Sequence, residues 1–227
     1  ERLYLALGRE EDLLNVLGTK LSLANDDDER RQIQTRIGSI HEQLGNADKA
    51  VEAYNAVLDS GVEDPEVLAA LDRMYVGLEN WEGLSGILER ELAVTDPEDG
   101  AARAALLHRL GVVKQDRLDS AAEAVELYAQ VLELEPDHGD ARTRLEGWLE
   151  HEDLRTRVAT ILLPVYERLE AHPQQVQCLE IQVAAEEDPN TRVDLLLRIG
   201  RLLSQNMGDS SRAFDAYSRA FDQDPEN

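Results

Sequence analysis

Three arginines recur at one position of a repeated sequence pattern. Arg36, Arg109 and Arg198 each stand two residues before a glycine. A guanidinium pairs with a carboxylate through two parallel hydrogen bonds, so these side chains could hold an acidic group of a partner. The alternative is an ion pair with a carboxylate of the chain itself. We favour the internal ion pair, because 47 acidic residues accompany only 23 basic ones.

Residue patterns typical of catalytic or metal sites are absent from the sequence. The histidines are scattered, and no two of them have the four-residue spacing that places two zinc ligands on one helix face. The acidic run 25–29 lacks the glycine and the distal glutamate of an EF-hand calcium loop, so it predicts helix capping instead. No glycine-rich phosphate loop is present. We therefore predict no cofactor, no metal site and a chain that is not an enzyme.

The strong negative charge restricts the kinds of partner. A formal net charge of −24 opposes binding to nucleic acid and to anionic membranes, and favours a basic protein partner. No apolar stretch is long enough to insert into a membrane. Cys178, the single cysteine, falls on an apolar helical stripe, which predicts a buried thiol and fits a reducing compartment. The sequence thus favours a cytoplasmic location.

Helical periodicity and helix-start signals divide the chain into helices. One stripe of apolar residues is formed by Ile33, Ile37, Ile40 and Leu44. Asp-Pro pairs at 64–65, 96–97 and 188–189 each place a capping acceptor before a first-turn proline, and Ser120 with Glu123 fits a capping box. The predicted helices are 1–7, 10–24, 28–44, 47–59, 65–78, 80–94, 98–117, 120–133, 139–150, 154–171, 173–187, 190–207 and 210–222.

The repeated pattern has a fixed internal spacing. Each copy has a glycine, an alanine, a tyrosine and a proline in that order: Gly38, Ala50, Tyr54 and Pro65; Gly111, Ala124, Tyr128 and Pro136; Gly200, Ala213, Tyr217 and Pro225. The first two tyrosines are 74 residues apart, about twice the 34-residue unit of a tetratricopeptide repeat. The chain resembles that family, with degenerate repeats of the bacterial scaffold type.

The resemblance implies an all-α fold. We expect an α-solenoid of antiparallel helical hairpins with a right-handed superhelix, about 13 helices and a single domain spanning 1–227. The aromatic residues Tyr54, Tyr128, Phe214, Tyr217 and Phe221 are predicted to pack between hairpins. Since the pattern begins and stops within a repeat, we interpret the chain as a fragment of a longer repeat protein.

One region departs from the regular spacing. The interval from Gly111 to Gly200 is 89 residues, against 73 from Gly38 to Gly111. This difference predicts about one additional helix and a break in regular stacking within 138–189. Pro164 falls inside an apolar run and is predicted to kink or split its helix.

The family resemblance also suggests where a ligand would bind. In tetratricopeptide repeats the first helix of each hairpin lines a concave groove, which implies a protein-interaction scaffold that binds a peptide or helix. The candidate peptide-binding residues are Arg36, Ser39, His108, Arg109, Arg198 and Arg201. The alternative function is a structural spacer or a self-assembling module that associates end to end.

Overall fold

The computed structural model describes Tyr4 and residues 8–223, so most of the predicted helix 1–7 lies outside the described residues. The described residues form twelve α-helices and no β-strand, which confirms the all-α fold class. The helices are α1 (Glu10–Leu23), α2 (Asp27–Gln43), α3 (Ala47–Leu58), α4 (Pro65–Gly77), α5 (Trp81–Val94), α6 (Gly100–Asp116), α7 (Ala121–Leu134), α8 (Gly139–Glu146), α9 (Arg155–Arg168), α10 (His172–Ala185), α11 (Pro189–Arg201) and α12 (Ser210–Gln223). A π-helical turn, Leu202–Asn206, continues α11.

Aspartate side chains start several of these helices, as predicted. Asp26 accepts a hydrogen bond from the Glu29 N–H, and Asp64 and Asp188 cap α4 and α11 in the same way. Two details of the prediction are wrong. Helix α6 begins after Asp99, which accepts from the Ala102 N–H, and not after Asp96. The Ser120 side chain makes no capping bond to α7.

The chain divides into two compact units. Unit 1 comprises residues 1–97 with 116–118, and unit 2 comprises 98–115 with 119–227. Within each unit, helices pack against their neighbours in sequence as antiparallel hairpins, the packing of an α-solenoid. Unit 1 buries Leu13, Leu17 and Ile40, whereas unit 2 buries Leu145 and other apolar side chains. The single domain over 1–227 stays a prediction.

Close approach of a glycine to a tyrosine ring joins the two helices of four hairpins. A β-carbon built on Gly38 would lie 2.6 Å from the Tyr54 ring. The same is true of Gly111 with Tyr128 and Gly200 with Tyr217. In α4/α5 the roles are exchanged, because Tyr75 lies on the first helix and Gly83 on the second. Only a glycine lets the helix backbone approach the ring this closely.

The predicted additional helix is present. Along the sequence, two helices, α4 and α5, stand between the hairpins α2/α3 and α6/α7. Three helices, α8, α9 and α10, stand between α6/α7 and α11/α12. Helix α8 has only eight residues and is followed by turns up to α9. Pro164 was predicted to kink or split its helix; it lies inside a continuous α9, so a split is wrong and a kink stays a prediction. Packing of the apolar side chains Leu162, Leu163 and Val165 holds this helix together across the proline.

The predicted packing of the aromatic residues is only partly confirmed. Tyr54 and Tyr128 are buried. Phe214 and Phe221 on α12 are instead 71% and 59% exposed, so the prediction is wrong for these two side chains. The physical reason is that no described helix covers this face of α12.

Candidate functional site

A cleft of about 530 Å³ opens in unit 1 between the first helices of two successive hairpins, α2 and α4. Tyr54 of α3 contributes to its floor. The cleft is lined by Gln32, Thr35, Arg36, Ser39, Glu42, Tyr54, Glu66, Ala69, Ala70 and Arg73. The two alanines leave room for a bound chain, and the remaining side chains offer hydrogen-bond donors and acceptors.

Arg36 is the most available cation of this cleft. Its side chain is half-buried, and it has no hydrogen-bond or ion-pair partner among the described residues. A half-buried guanidinium without a partner gains more from an incoming carboxylate than a fully hydrated one does. Ser39, one helical turn further along α2, lines the same cleft. The structure therefore brings two of the predicted site residues together.

A polar network fixes the other side of the cleft. The Tyr54 hydroxyl donates to Glu42 Oε2 at 3.0 Å, and Arg73 Nη2 donates to Glu42 Oε1 at 3.4 Å. Arg73 also donates to the Ala69 carbonyl of its own helix at 3.1 Å. Burial, together with the hydrogen bond to Glu42, raises the pKa of Tyr54 to about 12. Three helices are thus connected through one carboxylate.

The same arrangement recurs in unit 2. The Tyr128 hydroxyl donates to Gln115 Oε1 at 2.9 Å, and Arg144 Nη1 donates to the same oxygen at 3.1 Å. Glu42 and Gln115 both stand four residues after the glycine of their hairpin. Glu42, Gln115 and Arg73 were not predicted from the sequence, although the common position after the glycine is a signal that would have identified Glu42 and Gln115.

A second depression of about 380 Å³ shares Gln32, Thr35 and Glu66 with the cleft. It extends the concave surface toward the start of α2, where Arg31 forms an ion pair with Asp28. The shared lining makes one continuous groove along α2 and α4. A groove of this form suits an extended segment better than a small compact ligand.

The remaining predicted site residues have other surroundings. Arg198 forms an ion pair with Glu167 of α9, and Arg109 also interacts within the protein. His108 Nε2 lies 2.6 Å from Asp140 Oδ2, and its ring contacts the His138 ring at a tilt of 36° with centroids 4.7 Å apart. Arg201 Nε donates to the Leu197 carbonyl of its own helix at 3.3 Å. A binding role for these four residues stays a prediction.

The part of the chain that the structure describes offers little for other kinds of site. No cluster of three or more histidine, cysteine, aspartate or glutamate side chains there is arranged to hold a metal ion. None of the helices there combines the length and apolar character needed to cross a membrane. Cys178 is fully buried, and this burial raises the pKa of its thiol to about 11.

Comparison with known families identifies two segments of the chain. Residues 32–60 and residues 194–227 each match a family model described as tetratricopeptide repeat. The first segment contains most of the hairpin α2/α3, and the second contains α12 and most of α11. A comparison with functionally curated proteins found no match.

Solved structures with similar chains include other tetratricopeptide-repeat proteins. One from Parabacteroides merdae is 13% identical, with a TM-score of 0.39 and coverage of 97% of this chain and 89% of that chain. The C-terminal part of another from Cytophaga hutchinsonii is 17% identical, with a TM-score of 0.39 and coverage of 99% and 81%. PilF of Pseudomonas aeruginosa is 16% identical, with a TM-score of 0.34 and coverage of 99% and 88%. Similarity at this level carries no argument about function.

The two matched segments coincide with hairpins in which a glycine meets a tyrosine ring, and α6/α7 has the same contact between Gly111 and Tyr128. The chain therefore contains tetratricopeptide repeats at residues 32–60 and 194–227.

Proposed function

We propose that this protein is a non-catalytic interaction scaffold, and that the groove between α2 and α4 binds an extended peptide segment of a partner protein. The observation that carries the proposal is the half-buried, unpaired guanidinium of Arg36 in a polar cleft. Repeats of this family commonly present such concave surfaces for binding.

The chemistry of the groove specifies the peptide further. Arg36 requires a carboxylate, supplied by an aspartate or glutamate side chain or by a chain terminus. Gln32, Thr35 and Ser39 can bond to the peptide backbone. Glu66 favours a cationic residue elsewhere in the same segment. The bound segment therefore carries both signs of charge, and the −24 charge of the chain favours a basic partner as a whole.

Self-assembly is the alternative function. The exposed aromatic side chains of α12 favour it, because an uncovered apolar face promotes association. The same net charge on every copy opposes it. Sedimentation velocity over a range of protein concentrations distinguishes the two functions, since a strict monomer supports the groove and growing oligomers support assembly.

Selection from a random-peptide display library tests the groove. We expect wild-type protein to enrich peptides that contain an acidic residue, and Arg36→Glu to lose the selected peptides without a change in melting temperature. The matched control is Arg30→Glu, because Arg30 is exposed on the same helix and does not line the groove. Equal enrichment of these peptides by wild type, Arg36→Glu and Arg30→Glu would contradict the assignment of the groove as the binding site.

A further inference from the structure

A depression of about 400 Å³ lies within unit 2, between α7 and α9. These two helices contact each other, and α8, which stands between them in sequence, has only eight residues. The apolar part of the lining consists of Ala129 and Leu132 on α7 and of Ile161, Pro164 and Val165 on α9. All lining residues belong to unit 2, so this α7/α9 depression is complete within one compact unit.

Pro164 leaves a backbone acceptor free at the depression. A proline has no N–H, so the helical hydrogen bond from residue 164 to the Thr160 carbonyl cannot form. A helix carbonyl points along the axis toward the residue four positions later, and Thr160 and Pro164 both line the depression. The Thr160 hydroxyl donates instead to the Thr156 carbonyl at 2.9 Å. The Thr160 carbonyl is therefore available to a donor on a ligand.

Glu133 supplies a second acceptor, from α7. Its side chain is exposed, lines the depression and makes no hydrogen bond or ion pair with the described residues. The pKa of Arg157 is raised chiefly by its hydrogen bond to Glu126, and the charge of Glu133 adds to this effect. Glu133 thus lies near Arg157 without being bonded to it, and its carboxylate oxygens remain free.

The two arginines of the lining are already engaged. Arg157 donates through Nε and Nη2 to the two carboxylate oxygens of Glu126, each at 2.7 Å. Arg168 donates to the Pro136 carbonyl and lies 3.7 Å from Asp137. An incoming anion would compete with these carboxylates, whereas an incoming cation meets two free acceptors. The charge pattern of the depression therefore favours a cationic ligand.

We propose that the α7/α9 depression binds a lysine side chain of a partner protein. The ammonium group donates to the Glu133 carboxylate and the Thr160 carbonyl, and the methylene stem lies on the apolar lining. Lysine suits acceptors on two different helices, because its donors rotate about a flexible stem, whereas those of arginine are fixed in a planar fork. The depression shares no residue with the groove of unit 1, so the two proposals can fail separately.

The probe is Nα-acetyl-lysine methylamide, titrated into the isotope-labelled whole protein while the amide chemical shifts of residues 129–136 and 157–168 are followed. Nα-acetyl-norleucine methylamide is the matched probe, since it has an apolar stem without the ammonium group. We expect saturable shifts on both helices. The affinity for the lysine probe should exceed that for the norleucine probe by about 3-fold or more, the size of effect that a solvent-accessible charge pair gives.

Two variants test the two acceptors separately. Glu133→Gln should lower the affinity for lysine by about 3-fold and leave that for norleucine unchanged. Glu150→Gln is the matched control, because it removes the same charge from an exposed residue that does not line the depression. Pro164→Ala restores an N–H that occupies the Thr160 carbonyl, so it should lower the ratio of lysine to norleucine affinity without lowering the melting temperature.

Several results would overturn the proposal. Equal affinity for the lysine and norleucine probes would do so, and so would an equal loss of lysine affinity in Glu133→Gln and Glu150→Gln, which would mean long-range attraction by the net charge. An unchanged affinity ratio in Pro164→Ala would remove the Thr160 carbonyl from the site. Tighter binding of Nα-acetyl-glutamate methylamide than of the lysine probe would assign the depression to an anion held by Arg157 and Arg168.

Discussion

At the residue scale, contact between a glycine and a tyrosine ring recurs in four hairpins. In the degenerate hairpin α4/α5, Gly83 makes this contact. A β-carbon on Gly83 would lie 2.8 to 2.9 Å from three atoms of the buried Tyr75 ring. Nothing lies within 4 Å of the corresponding position on Gly86, one turn away on the same helix. The two glycines therefore form a matched pair.

Substitution of each glycine by alanine should have opposite effects. Gly83→Ala should lower the free energy of unfolding, because overpacking costs about 1–3 kcal/mol and exceeds the gain of helix propensity. Gly86→Ala should raise it by about 0.5–1 kcal/mol, since only the propensity changes. Urea denaturation of both variants measures the difference. A stabilised Gly83→Ala protein would show that the ring moves aside at little cost.

The ion-pair partners of the recurring arginines could not be predicted from the sequence. Arg36 and Arg198 occupy the same position of the repeat, yet only Arg198 has an ion pair, with Glu167 of α9. The pattern predicts where an arginine stands on its helix but not which carboxylates the neighbouring helix presents. Arg73 was missed for the same reason, because its role depends on α4 lying beside α2.

At the scale of elements, ionisation of the Tyr54 hydroxyl is linked to the packing of α2, α3 and α4. The pKa of Tyr54 in the folded protein is raised to about 12, above the ordinary tyrosine value of 10.0. The resulting stabilisation is fully present below pH 10 and is lost as the pH rises toward 12. We expect a loss of about 1–3 kcal/mol over this interval.

The measurement is thermal or urea unfolding between pH 8 and about pH 12, compared with Tyr54→Phe. The variant lacks the ionisable group, so its stability should fall less steeply with pH, although it loses the hydrogen bond to Glu42 at all pH values. Parallel pH profiles for the two proteins would refute a role of Tyr54 in this transition.

Helix positions were predicted well where local chemistry sets them. Asp64 with Pro65 and Asp188 with Pro189 start α4 and α11 as expected, because a side-chain cap acts within its own turn. The prediction 139–150 was too long for α8, which ends at Glu146. The predicted helix 154–171 matches the continuous α9, and the alternative of a split at Pro164 is wrong, since tertiary packing decides whether a helix survives a proline.

At the scale of the whole molecule, the net charge of −24 should lower stability through self-repulsion. Several ion pairs of the described residues are solvent-exposed, such as Arg157 with Glu126 and Arg219 with Glu180, and exposed pairs contribute little. We therefore expect the melting temperature to rise when NaCl is increased from about 10 mM to about 300 mM, because salt screens the repulsion. A fall over this range, measured by circular dichroism, would mean that attractive pairs dominate.

We propose that the groove of unit 1 is a binding surface of this molecule. Repeats bury their apolar faces against neighbours, which leaves the first helices of the hairpins free to form a groove. In this chain the groove of unit 1 has the unpaired arginine, and α12 has the uncovered aromatic face.

The most direct measurement of the central claim is the affinity of one acidic peptide, selected from the display library, for three forms of the protein. Titration calorimetry should show that Arg36→Glu weakens binding by about 10-fold or more, while Arg30→Glu binds as the wild type does. Equal affinity of Arg36→Glu and wild type would contradict a binding groove centred on Arg36.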